Sequence, residues 1–214
     1  MRIAILGNGG FGTAMALTLE RANHDVSMWG HDATYTASIG ASRQNPRYLA
    51  NVTLPDPIRV SSDAALVLDR AEVILVAVPT QHIRSVLSGM LDSLGGDVPI
   101  VSLAKGLEQA TSMRPSEIIA EVVASKARAF ALSGPSHAEE IAHGQPTTVV
   151  VAGDGDEALK SLQMALQTDR FRVYRNADIL GVELCGALKN VMALAAGIAD
   201  GLGYGDNAKA AILS

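Results

Sequence analysis

The sequence predicts a doubly wound α/β fold with a mainly parallel sheet, followed by the start of an all-helical C-terminal domain. Short β-branched runs alternate with amphipathic helical stretches, which is typical of a sheet with helices on both faces. The run 73–78 is apolar throughout, as a parallel strand covered on both faces requires. After residue 174 the strand signal stops and a helical pattern rich in Ala and Gly replaces it.

The alternation of strands and helices predicts a sheet domain, and the Ala- and Gly-rich pattern after residue 174 predicts a helical domain. The predicted strands are Arg2–Leu6, Asp25–Trp29, Glu72–Val78, Val98–Ser102, Ala127–Leu132, Thr147–Ala152 and Phe171–Tyr174. We expect residues 1–177 to form the sheet domain and residues 178–214 the beginning of a helical domain. Because the helical pattern is still running at Ser214, we expect the chain to be truncated within that domain.

Composition excludes several classes of protein. Of the 214 residues 48% are hydrophobic and 18% charged, which indicates a compact globular chain. A net charge of −5 without any Lys/Arg cluster argues against nucleic acid as a partner. The single cysteine, Cys185, predicts a reducing compartment and an inert buried thiol. We assign no metal site.

Two apolar stretches bear on localisation. Ile3–Leu6, the first apolar run, is too short for a signal-peptide core, so we expect a cytoplasmic protein. The richest stretch, Ala187–Ala199, contains Lys189 and Asn190 and many small residues. It predicts a buried helix of a soluble domain and no stable membrane insertion.

The segment Gly7-Asn8-Gly9-Gly10-Phe11-Gly12 fits the pattern G-x-G-x-x-G between the first strand and the helix predicted from Thr13 to Ala22. In such a turn Gly7 allows the tight bend, Gly9 lets the backbone approach a pyrophosphate, and Gly12 permits close packing of the helix. The segment therefore predicts a Rossmann-type loop that binds a nicotinamide dinucleotide. Phe11 fits a core position equally well.

Residues after the second strand bear on the type of cofactor. An acidic residue at this strand end usually binds both ribose hydroxyls of NAD, and Asp32 lies just past that position. His31 could approach the 2′-phosphate of NADP, or be a solvated loop residue. Both cofactors stay open, with NADPH slightly favoured. The polar segment Thr34–Pro57 predicts an excursion toward the sheet edge on the adenosine side.

Polar residues also follow the later strands, where ligands of open parallel sheets collect. Thr80 can cap the helix that follows its strand. Lys105, beside Gly106, is a candidate for binding an anion. Ser136 and Glu139 match a capping box, and the N–H groups at that helix start could also receive a phosphate or hydroxyl.

Lys189 lies in a helical stretch of small and apolar residues, 183–193. Burial of an unpaired ammonium is costly, so such a lysine is normally paired, directed to the surface or functional. We expect Lys189 to exchange a proton with a carbonyl or alcohol oxygen during hydride transfer, with Lys105 as the candidate second cation.

Six segments together resemble the bacterial NAD(P)-dependent glycerol-3-phosphate dehydrogenases along the whole chain. They are residues 7–14, 104–108 (AKGLE), 133–138 (SGPSHA), 171–174 (FRVY), 187–190 (ALKN) and 205–210 (GDNAKA). The resemblance implies reversible reduction of dihydroxyacetone phosphate to sn-glycerol 3-phosphate, the precursor of the phospholipid backbone. It also implies a small phosphorylated substrate, with a homodimer left open.

The resemblance also implies roles for individual residues. Lys189 matches the family's proton-exchanging lysine, and Lys105 matches a lysine that contacts both cofactor and substrate. The residues implied to contact substrate are Gly134, Ser136 and Asn190. Those implied to contact cofactor, beyond the loop glycines Gly7, Gly9 and Gly12, are Gly10, Phe11, His31, Tyr48 and Ala138.

Three expectations compete for this chain. Family members use an aspartate and a Ser-Arg-Asn segment later in the helical domain, and the chain ends before them, so we expect cofactor binding without turnover. A related two-domain dehydrogenase of hydroxy acids or imines would share the glycine loop and the lysine. A cofactor-sensing module without chemistry would bind the dinucleotide only.

Overall fold

The computed structural model describes residues 1–125 and 128–213. The strands are β1 (Arg2–Leu6), β2 (Asp25–Trp29), β3 (Gln44–Asn45), β4 (Leu49–Thr53), β5 (Arg59–Ser61), β6 (Val73–Val76), β7 (Ile100–Ser102), β8 (Ala129–Ser133), β9 (Thr147–Ala152) and β10 (Phe171–Asn176). The helices are α1 (Gly10–Arg21), α2 (Ala33–Ser42), α3 (Ala64–Leu68), α4 (Thr80–Ser88), α5 (Pro115–Val122), α6 (Ala138–Ala142), α7 (Asp156–Leu166), α8 (Ile179–Gly201) and α9 (Asp206–Leu213).

Eight strands form one sheet in the order β10-β9-β8-β7-β6-β1-β2-β5. All neighbours pair in parallel except β8 and β9, which are antiparallel. The predicted doubly wound, mainly parallel α/β fold is therefore confirmed. The chain leaves β1 toward β2 and later returns to β6 on its other side, so a crevice opens beyond the carboxyl ends of β1 and β6.

The two faces of the sheet are each covered by helices. In β1, Ile3 and Ile5 belong to the core beneath α1, α6 and α7, whereas Ala4 and Leu6 belong to the core beneath α3, α4 and α5. All four side chains are at most 1% exposed. Burial on both faces explains why these strands are apolar at consecutive positions instead of alternating.

The segment Thr34–Pro57 holds more regular structure than its polar composition predicts. It contains most of α2 and the two-stranded hairpin β3–β4, and β5 then pairs with β2 at the sheet edge. The predicted strand Ala127–Leu132 corresponds to β8, although Ala127 lies outside the described residues. Helix α1 begins at Gly10, three residues before the predicted start, because the glycine turn already adopts helical geometry.

Helix α8 begins after Asp178, whose carboxylate accepts a hydrogen bond from the Gly181 N–H at 2.8 Å. The prediction of a buried helix is wrong: several of its large apolar side chains are 50–69% exposed, namely Leu180, Leu188, Val191, Leu194 and Ile198. Cys185 is exposed as well. The reason is that α8 packs along one face only, chiefly on β8 and α9 in the described part of the chain.

Helix α8 is also long and apolar enough to cross a membrane by length and composition, with a mean hydropathy of 1.6 over its most apolar window. A charged carboxylate from the same helix, that of Glu183, is nevertheless buried against the sheet domain. The division of the chain at residue 177 stays a prediction.

The structure predicts that the protein loses a little stability at acid pH and that His24 is the cause. Burial, and then the positive N-terminal amino group, lower the pKa of His24 from its usual 6.5. His24 therefore binds a proton more readily in the unfolded chain than in the folded one. As far as His24 is concerned, the free energy of unfolding is highest above about pH 6.5 and falls as the pH drops below that value. Urea unfolding at pH 7.5 and 5.5 should show this loss in the wild type and a smaller loss in H24Q. The control H82Q, at an exposed histidine of α4, should behave as the wild type; an equal loss in H24Q would contradict the assignment.

Candidate active site

The glycine loop has the backbone geometry that its sequence pattern requires. Gly7 has φ +126°, and a Cβ there would lie 2.7 Å from the carbonyl oxygen of Ala77. A Cβ on Gly12 would lie 2.0 Å from the carbonyl oxygen of Gly7, so only glycine allows α1 to begin this close to β1. A Cβ on Gly9 would meet no atom of the described chain within 4 Å. The loop is therefore tightly packed on its inner side and open at Gly9.

The open side coincides with the start of α1. Gly9 is the N-cap residue, and no side chain of the described residues caps this helix end. The first N–H groups of a helix carry partial positive charge and point outward along its axis. The loop therefore offers uncapped donors and a free approach, which together fit the pyrophosphate of a dinucleotide.

A network of buried polar side chains, which the sequence pattern does not indicate, holds the glycine loop in place. The Asn45 amide donates to the Asn8 carbonyl oxygen and to the Thr13 hydroxyl, each at 2.8 Å, and Tyr35 donates to Asn45 Oδ1 at 2.6 Å. Asn45 is 1% exposed. Nothing in the local pattern marks Asn45, because its partners are distant in sequence.

Three residues implied to contact cofactor come together above the loop. A Cβ on Gly10 would lie 2.8 Å from the carbonyl oxygen of Tyr48 and 3.5 Å from Ala138 Cβ. The Tyr48 ring is 44% exposed and packs edge-on against Tyr35. Phe11 is partly buried against the core, which agrees with its alternative interpretation as a core residue.

Just after the end of β2, the Asp32 carboxylate is already engaged by neighbouring groups. The Asp32 carboxylate caps α2 by accepting from the Tyr35 N–H at 2.9 Å and lies 3.6 Å from the Arg47 guanidinium. The Tyr35 hydrogen bond, followed by the charges of Arg47 and His31, lowers the pKa of Asp32. Arg47, which the sequence analysis overlooked, stacks over the Tyr35 ring at 4.0 Å. His31 is exposed beside it.

Lys105, Gly134 and Ser136 meet at the carboxyl ends of β7 and β8. The Lys105 ammonium donates to the Gly134 carbonyl oxygen at 3.1 Å and to the Ser136 hydroxyl at 3.2 Å, and that hydroxyl donates to the same carbonyl oxygen at 3.1 Å. Desolvation, and then the positive charge of Lys189, lower the pKa of Lys105. The charge of Lys189 on α8 therefore reaches Lys105.

The loop that carries Lys105 is fixed to α4. Thr80 donates to the Lys105 carbonyl oxygen at 2.9 Å, and the Arg84 guanidinium donates two hydrogen bonds of 3.0 Å to the Glu108 carboxylate. These hydrogen bonds from Arg84 are the main reason that the pKa of Glu108 is lowered. Thr80 is thus not the cap of α4: Pro79 occupies that position, and the Thr80 hydroxyl is used by the Lys105 loop.

Two further sequence expectations need correction. The predicted capping box of Ser136 and Glu139 does not form, because His137 is the N-cap residue of α6 and the Ser136 hydroxyl turns toward Lys105. Glu139 lies 3.0 Å from the His137 ring instead. Lys189 is exposed on α8, and so is the adjacent Asn190, so the expected burial of this lysine is wrong. Its position toward Lys105 does not depend on burial.

No group of three or more His, Cys, Asp or Glu side chains within residues 1–125 and 128–213 could hold a metal ion. The site instead combines an open glycine loop at a topological switch point with a lysine, a hydroxyl and a second lysine beside it. This combination defines a Rossmann-type dinucleotide-binding protein whose cleft is equipped to bind an anionic group.

The chain belongs to the NAD-dependent glycerol-3-phosphate dehydrogenase family. Residues 2–159 match the family's N-terminal model and residues 178–214 its C-terminal model. Glycerol-3-phosphate dehydrogenase [NAD(P)+] of Chlorobium phaeobacteroides is 46% identical over all of this chain, which covers 65% of that protein. The Geobacillus kaustophilus protein of the same name is 47% identical over 99% of this chain and 62% of its own length.

Solved structures show the same relationship. Glycerol-3-phosphate dehydrogenase from Coxiella burnetii superimposes with a TM-score of 0.87 at 37% identity, covering 99% of this chain and 64% of that one. A pyrroline-5-carboxylate reductase and an imine reductase superimpose at TM-scores of 0.63 and 0.64 with 12% and 16% identity, which shows a shared fold alone. The chain spans 62–65% of the length of the curated relatives named above.

Proposed function

We propose that the protein containing this chain interconverts dihydroxyacetone phosphate and sn-glycerol 3-phosphate with a nicotinamide cofactor. On this proposal it is a cytoplasmic enzyme that feeds glycerophospholipid synthesis. The observation that carries the proposal is the contact of Lys105 with Ser136 and Gly134, beside Lys189 and across the crevice from the glycine loop. Family membership supports it.

The glycine loop and its surroundings would hold the cofactor. Gly7, Gly9 and Gly12 would form the backbone cradle, and Gly10, Phe11, His31, Tyr48, Lys105 and Ala138 would line the remainder of the site. The open approach at Gly9 and the uncapped start of α1 fit a pyrophosphate. When bound, the nicotinamide would supply the hydride.

The lysine cluster would bind and protonate the substrate. Lys105, Gly134, Ser136 and Asn190 would hold the small phosphorylated ketone by charge and hydrogen bonds. The Lys189 ammonium would give a proton from Nζ to the carbonyl oxygen as that oxygen gains negative charge, and would take it back from the alcohol in the reverse direction.

Steady-state assays of two proteins test the proposal. The first is the 214-residue chain, and the second, called here the extended protein, is this chain followed by the part of the Geobacillus kaustophilus relative that lies beyond the aligned region. We expect the chain alone to bind cofactor with little turnover, and the extended protein to reduce dihydroxyacetone phosphate. Cofactor binding without turnover of any substrate by the extended protein would instead indicate a sensing module.

A substrate panel separates the enzyme classes. Hydroxy acids, cyclic imines and dihydroxyacetone without its phosphate should be poor substrates of the extended protein, because none of them carries a phosphate for Lys105 to bind. Preference for any of these over the phosphorylated ketone would contradict the proposal.

Arg47, close to the end of β2, predicts a preference for NADPH over NADH. Asp32 is engaged in capping α2 and in the contact with Arg47. On this proposal the Arg47 guanidinium and the exposed His31, and not the Asp32 carboxylate, would meet the adenosine ribose. Loss of a hydrogen bond to a charged group costs about 1.5–3 kcal/mol. R47A should therefore weaken NADPH binding roughly tenfold to a hundredfold while changing NADH binding little.

Fluorescence titration of the single tryptophan, Trp29 at the end of β2, measures both affinities. Adenosine 2′,5′-bisphosphate and 5′-AMP serve as fragment probes that differ in the 2′-phosphate. R59A is the matched control, because Arg59 pairs with Asp25 at the opposite end of β2. An equal loss of NADH and NADPH affinity in R47A would exclude a role in discriminating the 2′-phosphate.

A further inference from the structure

Helix α8 carries one carboxylate that is buried against the sheet domain. The Glu183 side chain is 3% exposed and accepts three hydrogen bonds: from the Ser116 N–H at 2.8 Å, from the Ser116 hydroxyl at 2.6 Å and from the Arg114 guanidinium at 2.8 Å. Both donors belong to the start of α5. The same guanidinium also binds Glu117 at 2.7 Å. The Glu183 carboxylate is thus held from a fixed set of directions.

The next turn of α8 approaches the lysine cluster closely. A Cβ on Gly186 would lie 3.0 Å from the Ser133 hydroxyl oxygen and 3.7 Å from Lys105 Cγ. At 3.6 residues per turn, Gly186 projects about 60° round the helix from Glu183, and Lys189 projects about 60° further round, one turn beyond Gly186. The anchor at Glu183 therefore fixes the directions in which Gly186 and Lys189 project from α8.

The apolar residues of α8 do not determine this orientation. Leu188, Val191, Leu194 and Ile198 are 55–69% exposed in the described structure, so these apolar side chains make few contacts that could set the rotation of the helix. Apolar contacts are non-directional and would tolerate several rotations about the helix axis. A buried carboxylate that accepts three hydrogen bonds allows only one rotation of the helix, because any other rotation would leave a buried charge unpaired.

We propose that Glu183 is a positioning residue, which sets the rotation of α8 so that Lys189 faces Lys105 and Ser136. Glu183 is hydrogen-bonded to the start of α5, so it acts on the lysine cluster through Lys189. The importance of Glu183 for catalysis rests on the proposed function, whereas its effect on the rotation of α8 does not.

The pKa of Lys105 provides a readout of where Lys189 lies, because the charge of Lys189 contributes to lowering it. Lysines of the purified 214-residue chain are labelled with ¹³C-methyl groups, and the pKa of Lys105 is measured by NMR titration after assignment with K105R. K189M calibrates the method: it should raise the pKa of Lys105. E157Q, at an exposed glutamate of α7, is the matched control and should leave it unchanged.

E183L and G186A should each raise the pKa of Lys105 by most of the change seen in K189M, and E183Q should raise it by less. The reason is that E183L removes the directed anchor, G186A forces α8 away from Ser133, and E183Q keeps one acceptor oxygen. Thermal melts identify any variant that does not fold, and if E183L fails to fold, E183Q and G186A decide. A residue that only stabilises the fold would lower the melting temperature without changing the pKa of Lys105.

An unchanged pKa of Lys105 in every folded variant, or in K189M, would overturn the inference. These outcomes are separate from the test of the proposed function. An extended protein without dehydrogenase activity, in which the pKa of Lys105 still responds to Glu183, would reject the proposed activity and retain the positioning role. An active extended protein in which the pKa of Lys105 does not respond to Glu183 would retain the proposed activity and reject the positioning role.

Discussion

G12A is expected to destabilise the protein by about 3 kcal/mol or more and to abolish cofactor binding under conditions where the wild type is saturated. The added methyl carbon would lie 2.0 Å from the Gly7 carbonyl oxygen and 3.1 Å from Ala77 Cβ. Overpacking usually costs about 1–3 kcal/mol, and here the obstacle is backbone, which cannot rotate away as a side chain can. The start of α1 would have to move away from β1, and the loop would open with it.

G9A separates the folding role of the loop from its binding role. Its methyl group meets no described atom within 4 Å, so the free energy of unfolding should stay near that of the wild type. The same methyl group would stand where the pyrophosphate is expected, and cofactor affinity should fall by roughly tenfold, which is about 1.4 kcal/mol. Urea unfolding and Trp29 fluorescence titration measure the two quantities. G197A, at an open position in α8, is the control for the glycine-to-alanine change itself.

A stable G12A protein with normal affinity would contradict the packing argument. A G9A protein with unchanged cofactor affinity would show that the dinucleotide does not bind against Gly9.

The sheet could be predicted because its causes are local. Consecutive apolar residues in β1 and β6 follow from burial on both faces. The glycines of the loop follow a short sequence pattern that marks a strand-to-helix turn, even though Gly7 packs against the distant Ala77. The edge strand β5 was missed, because three residues of mixed polarity carry little signal. The short helix α6 was predicted with the wrong cap, since the Ser136 hydroxyl binds Lys105, 31 residues away.

The same reasoning explains which site residues were found. Lys105, Ser136 and Lys189 follow strands or interrupt an apolar helix, so their own surroundings mark them. Glu183 and Asn45 carry no such mark, because their partners lie 67 and 37 residues away and are brought near only by the fold. The exposure of Lys189 could not be derived either, since it depends on which elements cover α8 and not on the composition of the helix.

In the extended protein, K189M is expected to lower kcat for dihydroxyacetone phosphate by roughly a hundredfold to ten-thousandfold, the usual contribution of a positioned acid or base. Cofactor affinity should change little, because Lys189 lies on α8 and faces Lys105 rather than the glycine loop. K105M should behave differently. Since Lys105 contacts Ser136 and the Gly134 carbonyl oxygen, its loss should raise KM for the phosphorylated ketone and weaken cofactor binding together.

Steady-state kinetics over a range of both substrates distinguishes the two variants, and K160M, at an exposed lysine of α7, is the matched control. The charge that K189M removes also contributes to lowering the pKa of Lys105, so the variant should hold the Lys105 proton more tightly. If Lys189 were only a surface lysine, K189M would match K160M. If Lys189 bound the phosphate and Lys105 moved the proton, the changes in KM and kcat would be exchanged between the two variants. The assignment of roles to the two lysines can therefore fail separately from the proposed reaction.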